Sequence, residues 1–336
     1  MKILAAGDHF VLNSLITEAL RRGVAAPAEI TELTLPWPLT PFGKVAEVDE
    51  ANDCEDALIE ALDGVEVCVT QMGPFTERVL AASPALRMIA VCRGGPVNVN
   101  VDAARARGVK VCFAPGRNAA ATAEFTVGML LAALRRIPEA HNSLALDGEW
   151  DATHYTYTRC GPELEDLPVG LIGYGAVGSR VARVLTAFGA EVEVYDPYVR
   201  GDVHGMRSPS LQALLARSSV VTLHARLTPE TQGLIGAAEL ALLPGGSALV
   251  NVARGGLLDT EALCDALDSG QLATAALDTY EQEPPPAGSR LFGTPNLVLT
   301  PHLGGASKAV AHKAARIAAA EVARYATGEP LAHCLT

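Results

Sequence analysis

Short apolar runs alternate with segments of helical periodicity along most of the chain. In the first third, four apolar runs predict strands: Lys2–Ala6, Val65–Thr70, Met88–Cys92 and Val109–Phe113. Between them, apolar residues recur at helical spacing in Val11–Arg22, Asp53–Leu62, Thr76–Ala82 and Val101–Arg107. This alternation is typical of a parallel sheet covered by helices, so an α/β fold is predicted.

The same alternation resumes at Leu167. Six strands are predicted at Val169–Ile172, Glu191–Asp196, Val220–Leu223, Ala248–Val252, Ala273–Leu277 and Leu297–Leu299. Five helices are predicted at Ala176–Phe188, Pro209–Ala216, Ala237–Leu242, Thr260–Asp268 and Ser307–Ala326.

Three segments connect or interrupt the two blocks of strands and helices. Asn118–Ile137 predicts one long helix that ends before Pro138, because the residue before a proline disfavours the helical conformation. Leu146–Pro162 has little periodicity and predicts a loop. The proline-rich segment Thr34–Gly43 predicts a surface loop, since proline disrupts helices and central strands.

Composition and charge narrow the class of protein. With 49% apolar and 19% charged residues, the 336-residue chain is typical of a globular protein of about two domains. Asp and Glu outnumber Lys and Arg by 38 to 26, and no basic run occurs, so neither nucleic acid nor a membrane is expected as a partner. The seven cysteines are widely spaced without a C-x-x-C pair, and no signal peptide or membrane-length run is seen. A cytoplasmic protein without a metal is expected.

A glycine-rich turn predicts a dinucleotide site. Val169–Ile172 leads into Gly173-Tyr174-Gly175-Ala176-Val177-Gly178 and then into a helix. In such a turn the first glycine allows the sharp bend, the second lets pyrophosphate approach the backbone, and the third packs helix on strand. Asp196 ends the next strand, where a carboxylate can bind the ribose hydroxyls and repel a 2′-phosphate. NAD is therefore favoured over NADP.

Four stretches in fixed order resemble the D-isomer-specific 2-hydroxyacid dehydrogenase family, which includes D-3-phosphoglycerate dehydrogenase. The resemblance covers about Val65 to Tyr325. It is carried by the stretches Leu171–Gly178, Asn251–Asp259, Ala276–Pro284 and Thr300–Gly305. It implies an oxidoreductase that transfers a hydride between NAD and C2 of a small D-2-hydroxy acid or 2-keto acid. Because the chain stops at Thr336, no regulatory domain is expected.

By this resemblance, the catalytic residues are Arg254, Glu283 and His302. A histidine can accept the hydroxyl proton in oxidation and return it in reduction. A carboxylate beside it would favour the imidazolium and fix the tautomer, and the planar guanidinium of arginine would clamp a carboxylate. The resemblance implies a cofactor site formed by Gly173, Tyr174, Gly175, Ala176, Val177, Gly178, Asp196, His224, Arg226, Thr231, Val252, Ala253, Asp278 and Gly304.

Two residues of the predicted cofactor site allow a second interpretation. His224 is either part of the NAD pocket or a packing residue. Arg226 replaces the proline usual in the family, and it either reaches the adenine or a phosphate of the cofactor or faces solvent.

The segment Cys92–Asn100 resembles the family's substrate-binding loop. The amides of Gly94 and Gly95 are expected to hold the substrate carboxylate, together with Arg254 and His302. Pro96 and Asn98 depart from the family pattern. Arg93 and Arg117 either bind a second anionic group, such as a phosphate or phosphonate, or lie on the surface.

The domain and assembly predictions follow from these assignments. Residues 1–116 and 307–336 are expected to form the substrate domain, with a Rossmann-like NAD domain, 117–306, inserted in it. Both are expected to be Rossmann-like or flavodoxin-like parallel-sheet domains. The resemblance also implies a homodimer formed through the long helix and the loop at Trp150, with Arg159 reaching the neighbouring site. The alternative function is an NAD(H)-sensing protein like the corepressors of this family.

Overall fold

The structure is a computed structural model that describes residues 1–37 and 43–336. The chain forms two compact units, and each is described here by itself. Unit 1 comprises Met1–Asn118 and Ala306–Thr336, and unit 2 comprises Ala119–Gly305.

The strands of the described residues form two sheets. Those of unit 1 are β1 Lys2–Gly7, β2 Glu29–Thr34, β3 Val67–Thr70, β4 Met88–Val91 and β5 Lys110–Cys112. Those of unit 2 are β6 Pro168–Ile172, β7 Glu191–Tyr195, β8 Met206–Arg207, β9 Val220–Leu223, β10 Ser247–Asn251, β11 Leu272–Leu277 and β12 Leu297–Leu299.

Helices flank both sheets. In chain order they are α1 Asn13–Gly23, α2 Glu55–Ala61, α3 Glu77–Ala82, α4 Val101–Ala106, α5 Ala119–Leu134, α6 Ile137–Ala145, α7 Gly178–Ala187, α8 Leu211–Leu215, α9 Ala237–Leu240, α10 Thr260–Asp268 and α11 Lys308–Thr327. Among the described residues, none of the helices is both long enough and apolar enough to cross a membrane.

Unit 1 is a five-stranded sheet in the order β2-β1-β3-β4-β5, and every pair is parallel. Successive side chains of its central strands alternate between two buried faces. Ile3 and Ala5 pack with α1 and α11, whereas Leu4 and Ala6 pack with α2, α3 and α4. Burial on both faces explains the near-continuous apolar runs from which the strands were predicted.

Unit 2 is a seven-stranded parallel sheet in the order β12-β11-β10-β9-β6-β7-β8. It also has two apolar layers, one of which holds α5 and α7 against β6 and β10. The strand order reverses between β6 and β9, and at such a point the carboxyl ends of the strands form a ligand-binding crevice. The α/β fold class with parallel sheets is confirmed.

Two strands were not predicted, and both lie at sheet edges. The sequence of β2 carries Glu29, Thr31 and Glu32, which are polar because little of this edge strand is buried. Both residues of β8 are exposed. Residues 38–42 of the predicted proline-rich loop lie outside the described residues, while Thr34 belongs to β2.

The prediction of one helix across Asn118–Ile137 is wrong. The helix α5 ends at Leu134, and a separate helix, α6, runs from Ile137 to Ala145. The break lies at Arg136, whose left-handed backbone (φ 50°) turns the chain. Pro138 does not end a helix but lies in the first turn of α6, where its missing N–H group has no helical partner to lose.

Candidate active site

The glycine turn after β6 uses its three glycines for three different reasons. Gly173 has φ +94°, and a Cβ atom there would lie 2.5 Å from the backbone nitrogen of Ala225. A Cβ atom on Gly178 would lie 2.1 Å from the carbonyl oxygen of Gly173, so this glycine allows α7 to start directly on the strand. A Cβ atom on Gly175 would meet no atom within 4 Å. The turn therefore leaves the backbone at Gly175 open to a phosphate group.

The carboxylate of Asp196 is held against this turn. Its Oδ2 accepts a 2.7 Å hydrogen bond from the Tyr174 N–H, and its Oδ1 accepts one of 2.8 Å from the Tyr198 N–H. Each carboxylate oxygen retains a further lone pair for a ribose hydroxyl. Ala176 and Val177 complete the turn, and their carbonyls accept hydrogen bonds from the side chain and the backbone of Arg180.

The segment after β9 carries His224, Arg226 and Thr231. It passes close to the glycine turn, since a Cβ atom on Gly173 would lie 2.6 Å from the backbone carbonyl carbon of His224. The Nε2 of His224 lies 3.0 Å from Thr222 Oγ1, and burial lowers the pKa of His224 to about 3. This imidazole is therefore neutral at physiological pH and unsuited to proton transfer. The Thr231 hydroxyl donates to the Arg226 carbonyl at 2.6 Å, which closes a local turn. The guanidinium of Arg226 is exposed and has no partner in residues 1–37 and 43–336.

The predicted acid-base pair is formed in unit 2. His302 Nδ1 lies 2.7 Å from Glu283 Oε2, and the other oxygen of Glu283 accepts from the Tyr280 N–H at 3.0 Å. Burial raises the pKa of Glu283, but its hydrogen bond to His302 and the charges of His302 and Arg254 outweigh that effect, so the pKa lies below its ordinary value. Glu283 is therefore an anion at neutral pH and orients the ring, while Nε2 of His302 remains available.

Asp278 fixes the loop that carries His302. This carboxylate is fully buried, and it accepts from Thr300 Oγ1 at 2.6 Å and from the N–H groups of Leu303 and Gly304, both at 2.7 Å. His302 itself adopts a left-handed backbone (φ +54°), which requires such support in a residue other than glycine. Because both oxygens of Asp278 bind the loop, Asp278 acts as a positioning residue in the free protein.

Backbone packing places Arg254 beside the pair formed by His302 and Glu283. It follows β10, and a Cβ atom on the next residue, Gly255, would lie 1.8 Å from the backbone carbon of Tyr280. The Arg254 segment thus packs against the chain that leads to Glu283. The Arg254 side chain is exposed, and its Nη1 donates to the Ala253 carbonyl at 2.7 Å. Unit 2 therefore brings Arg254, Glu283 and His302 together.

The last predicted cofactor residues lie around Gly304. A Cβ atom there would lie 2.7 Å from Val252 Cγ1 and 3.0 Å from Asp278 Oδ2. The neighbouring Ala253 N–H donates to Asn251 Oδ1 at 3.0 Å, which fixes the chain beyond β10. These residues form a tight wall on which only a glycine fits at position 304.

In unit 1, the loop that is predicted to bind the substrate carboxylate follows β4. The N–H groups of Gly94 and Gly95 donate to no acceptor in the described chain, and Pro96 has no N–H group. Arg93, in contrast, forms an ion pair with Glu50 and contacts Met72 Sδ at 2.9 Å. The guanidinium of Arg117 lies elsewhere in the unit, and its Nε and Nη1 atoms are buried without a hydrogen-bond partner in the described chain.

Comparisons with known proteins identify the family of the chain. The sequence profile for the NAD-binding domain of D-isomer-specific 2-hydroxyacid dehydrogenases matches residues 127–304, which is more than half of the chain. The chain belongs to this family. Glyoxylate reductase of Thermofilum pendens is 38% identical over 75% of each chain. D-3-phosphoglycerate dehydrogenase of Mycobacterium tuberculosis is 41% identical over 81% of this chain and 51% of its own length. A Thermus thermophilus structure, the TT0316 protein, superposes with a TM-score of 0.82 at 30% identity and covers 100% of both chains.

Membership in the 2-hydroxyacid dehydrogenase family confirms two predictions. The chain is an NAD-dependent dehydrogenase of this family, and its cofactor is NAD. The chain spans about half the length of the D-3-phosphoglycerate dehydrogenases that it matches. The glycine turn and the carboxylate of Asp196 fit the pyrophosphate and the adenosine ribose of that cofactor.

The geometry of the glycine turn predicts different effects of two substitutions on NADH binding and on stability. We expect Gly175→Ala to leave the melting temperature unchanged, because its methyl group meets no protein atom, and to weaken NADH binding at least about tenfold. Gly178→Ala should instead lower the free energy of unfolding by about 1–3 kcal/mol, because its methyl group overlaps Gly173. Thermal unfolding and NADH fluorescence titration of both variants check this. Equal effects on both quantities in both variants would contradict it.

The sequence reasoning missed four buried polar residues of unit 1. Asp8, Asn52, Gln71 and Asn98 are each 5% exposed or less and carry side-chain atoms without a partner in the described residues. One signal was present in the sequence: Gln71 directly follows a predicted strand and Asp8 comes two residues after another, where parallel sheets place ligand contacts.

Proposed function

We propose that the protein interconverts a small D-2-hydroxy acid and the corresponding 2-keto acid. The observation that carries this proposal is the 2.7 Å contact between His302 Nδ1 and Glu283 Oε2, next to Arg254 and in the same unit as the NAD turn. We assign NAD to unit 2 and recognition of the substrate to unit 1. The names of the relatives support the reaction class, since they include a glyoxylate reductase and D-3-phosphoglycerate dehydrogenases.

The proposed mechanism uses each residue for one task. NAD supplies the hydride acceptor in oxidation and, as NADH, the hydride donor in reduction. His302 Nε2 takes the proton of the 2-hydroxyl group in oxidation and returns it to the keto oxygen in reduction. Glu283 holds the ring through Nδ1 and stabilises its protonated form. Arg254 binds the substrate carboxylate through its guanidinium.

We infer that NAD is preferred over NADP. The carboxylate of Asp196 is fixed by two backbone N–H groups at the glycine turn, and its charge would repel a 2′-phosphate. Arg226 has an exposed guanidinium on the segment after β9, and it is the residue that would oppose this preference.

A panel of 2-keto acids tests the proposed function. The full chain is mixed with NADH and with glyoxylate, pyruvate, hydroxypyruvate or longer 2-keto acids, and oxidation of NADH is followed by absorbance. We expect turnover with at least one acid and none without a keto acid. Tight NADH binding without turnover on any acid would contradict an enzyme and favour an NAD(H)-sensing protein.

We also propose a cytoplasmic homodimer that associates through α6 and the loop after it. The helix α6 has no buried residue, and large apolar side chains on this segment are exposed, including Trp150 at 84% and Tyr157 at 95%. Exposed large apolar side chains that lie together on one segment are typical of a protein–protein interface. Arg159 forms ion pairs with Asp151 and Glu139 on the same surface. All seven cysteines are free, which fits a reducing compartment.

Substitution of an exposed aromatic residue tests the dimer. We expect Trp150→Glu to convert a dimer into a monomer in light scattering coupled to gel filtration, because it places a charge in the apolar patch. Phe292→Glu is the matched control, since Phe292 is 59% exposed on a different segment of unit 2. A wild-type protein that is monomeric, or a Trp150→Glu protein that stays dimeric, would contradict the proposed interface.

A further inference from the structure

Two cysteines of unit 1 lie directly opposite each other on paired segments of the chain. Cys112 is the last residue of β5, and Cys334 lies in the segment that follows α11. The two residues form an antiparallel bridge, although they are 222 positions apart in the sequence. They meet because the chain returns to unit 1 after forming unit 2.

The hydrogen bonds around this bridge define the type of pair that the two cysteines form. Each bond runs from the residue after one cysteine to the residue before the other. They join the Phe113 N–H to the His333 carbonyl at 3.1 Å and the Leu335 N–H to the Val111 carbonyl at 2.9 Å. The cysteines are therefore a non-hydrogen-bonded pair, in which the Cα atoms are about 4.5 Å apart. A disulfide spans Cα atoms about 4.4–6.8 Å apart, so the backbone already has the spacing that a disulfide needs.

The side chains of the two cysteines lie on the same side of the bridge. Both pack in the apolar layer that holds α11 against the sheet of unit 1. The Cys112 thiol is within hydrogen-bonding reach of Cys334 and of Glu321. Both cysteines are free, so the structure shows the pair as two adjacent thiols.

The segment after α11 is held in this register by contacts that do not involve the thiols. Glu321, which is buried in α11, accepts hydrogen bonds from the N–H groups of Ala332 at 2.9 Å and His333 at 3.2 Å. Beyond the bridge, the Thr336 hydroxyl accepts from the Val111 N–H at 3.0 Å. Because these contacts already order the segment, a bond between the thiols would cost little further conformational entropy.

The other cysteines of the described chain are not paired in this way. Cys68 and Cys92 are both fully buried, but they belong to opposite apolar layers of the unit 1 sheet. Cys160 is exposed in unit 2, far along the chain from any other cysteine. Among the described residues, the strand and bridge pairings set only Cys112 and Cys334 face to face.

The two thiols differ in their access to solvent, which determines the order in which they react. Cys334 is partly exposed, whereas Cys112 is fully buried. Burial also raises the pKa of the Cys112 thiol, with smaller contributions from Cys334 and Glu321. Reaction with an oxidant requires an accessible thiolate. An oxidant in solution should therefore react with Cys334 first, and Cys112 should then attack the sulfur atom of Cys334.

We propose that Cys112 and Cys334 form a reversible disulfide that fastens the segment after α11 to β5. The oxidant is a small-molecule disulfide such as oxidised glutathione. The Cys334 thiolate attacks one sulfur atom of the oxidant, which releases the first small thiol and leaves a mixed disulfide. Cys112 then loses its proton and attacks Sγ of Cys334, and the mixed disulfide breaks to release the second thiol. The protein gives up two protons and two electrons, and the oxidant is reduced to two thiols.

Alkylation mapping of the full chain tests this site. The reduced protein is incubated with oxidised glutathione, denatured in N-ethylmaleimide, digested and analysed by mass spectrometry. We expect a cross-linked peptide that contains Cys112 and Cys334 and that dithiothreitol separates. Cys160→Ser is the matched control and should retain the cross-link. Cys112→Ala should instead accumulate glutathione on Cys334, because the second thiol is missing.

Two outcomes of the mapping would overturn the proposal. One is alkylation of both Cys112 and Cys334 in the wild-type protein after the oxidant has been added in excess. The other is glutathione that persists on Cys334 in the wild-type protein as it does in Cys112→Ala, since Cys112 would then be unable to displace it.

Thermal unfolding tests whether the bond fits the folded chain. Because the disulfide closes a long loop and needs no backbone movement, oxidation should raise the melting temperature of the wild-type protein by about 5–10 °C. Dithiothreitol should reverse the increase, and Cys334→Ser should show no increase with the oxidant. A cross-linked protein that unfolds at the same or a lower temperature would overturn the proposal, because the bond would then distort the segment that it joins.

Discussion

Replacement of His302 by glutamine is expected to lower kcat for 2-keto acid reduction by about 10²- to 10⁴-fold, the usual contribution of a general acid or base. The amide of glutamine cannot exchange a proton with the substrate oxygen at neutral pH. The loop itself should persist, because Asp278 holds it through Thr300, Leu303 and Gly304 and not through the imidazole. The affinity for NADH should therefore remain within about twofold of the wild-type value.

Two further variants make the His302 result specific. Glu283→Gln should give a smaller loss of kcat than His302→Gln, because the ring loses the anion that stabilises its protonated form but can still exchange a proton. His312→Gln, an exposed histidine of α11, should leave kcat unchanged. These comparisons require single-turnover rates and NADH titrations. A His302→Gln enzyme with wild-type kcat would refute the assignment of the acid-base residue.

Replacement of Arg254 is expected to have the second largest effect. Arg254→Lys should lower kcat/KM about 10- to 100-fold, because an ammonium group retains the charge but not the planar pair of donors for a carboxylate. Arg254→Gln should lose more, since it removes the charge as well. The backbone of this segment is fixed by Asn251 Nδ2, which donates to the Arg254 carbonyl at 2.9 Å, so neither substitution should disturb the fold.

The measurements for Arg254 are steady-state kinetics with a 2-keto acid and melting temperature. Arg200→Lys provides the control, because Arg200 is exposed in the loop after β7 and has no assigned role. If Arg254→Lys kept the wild-type kcat/KM, the substrate carboxylate would have to be bound by donors other than Arg254. That result would leave the role of His302 intact and overturn only that of Arg254.

The sequence predicted every central strand but missed the edge strands β2 and β8, because these two are polar or exposed. Strands such as β3 and β4 are buried on both faces and are therefore apolar throughout. The edge strand β2 alternates Glu29, Thr31 and Glu32 with apolar residues and has no comparable signal. Likewise, Arg136 gave no local sign of its left-handed backbone, so neither the end of α5 at Leu134 nor the separate helix α6 after it was foreseen.

The residues of the candidate site also differ in how far the sequence alone predicts them. Gly173, Asp196 and His302 belong to motifs of fixed spacing, which local sequence reveals. The buried polar residues of unit 1 do not, because Asp8 and Gln71 are 63 positions apart and are brought to the same sheet edge only by the pairing of β1 with β3. The ion pair of Arg93 with Glu50 is likewise a property of the folded chain. The roles of the candidate site residues remain predictions for the experiments above.

The most direct test of the account is the path of the hydride. The full chain is incubated with NADH that carries deuterium at both C4 positions of the nicotinamide. The second substrate is a 2-keto acid that is turned over and is larger than glyoxylate, so that the product has a stereocentre at C2, and the product is analysed by mass spectrometry and chiral chromatography. The proposed mechanism predicts a D-2-hydroxy acid that carries deuterium at C2. With the His302→Gln protein, no deuterated product is expected on the same time scale. An L-product, or a product without deuterium at C2, would contradict it.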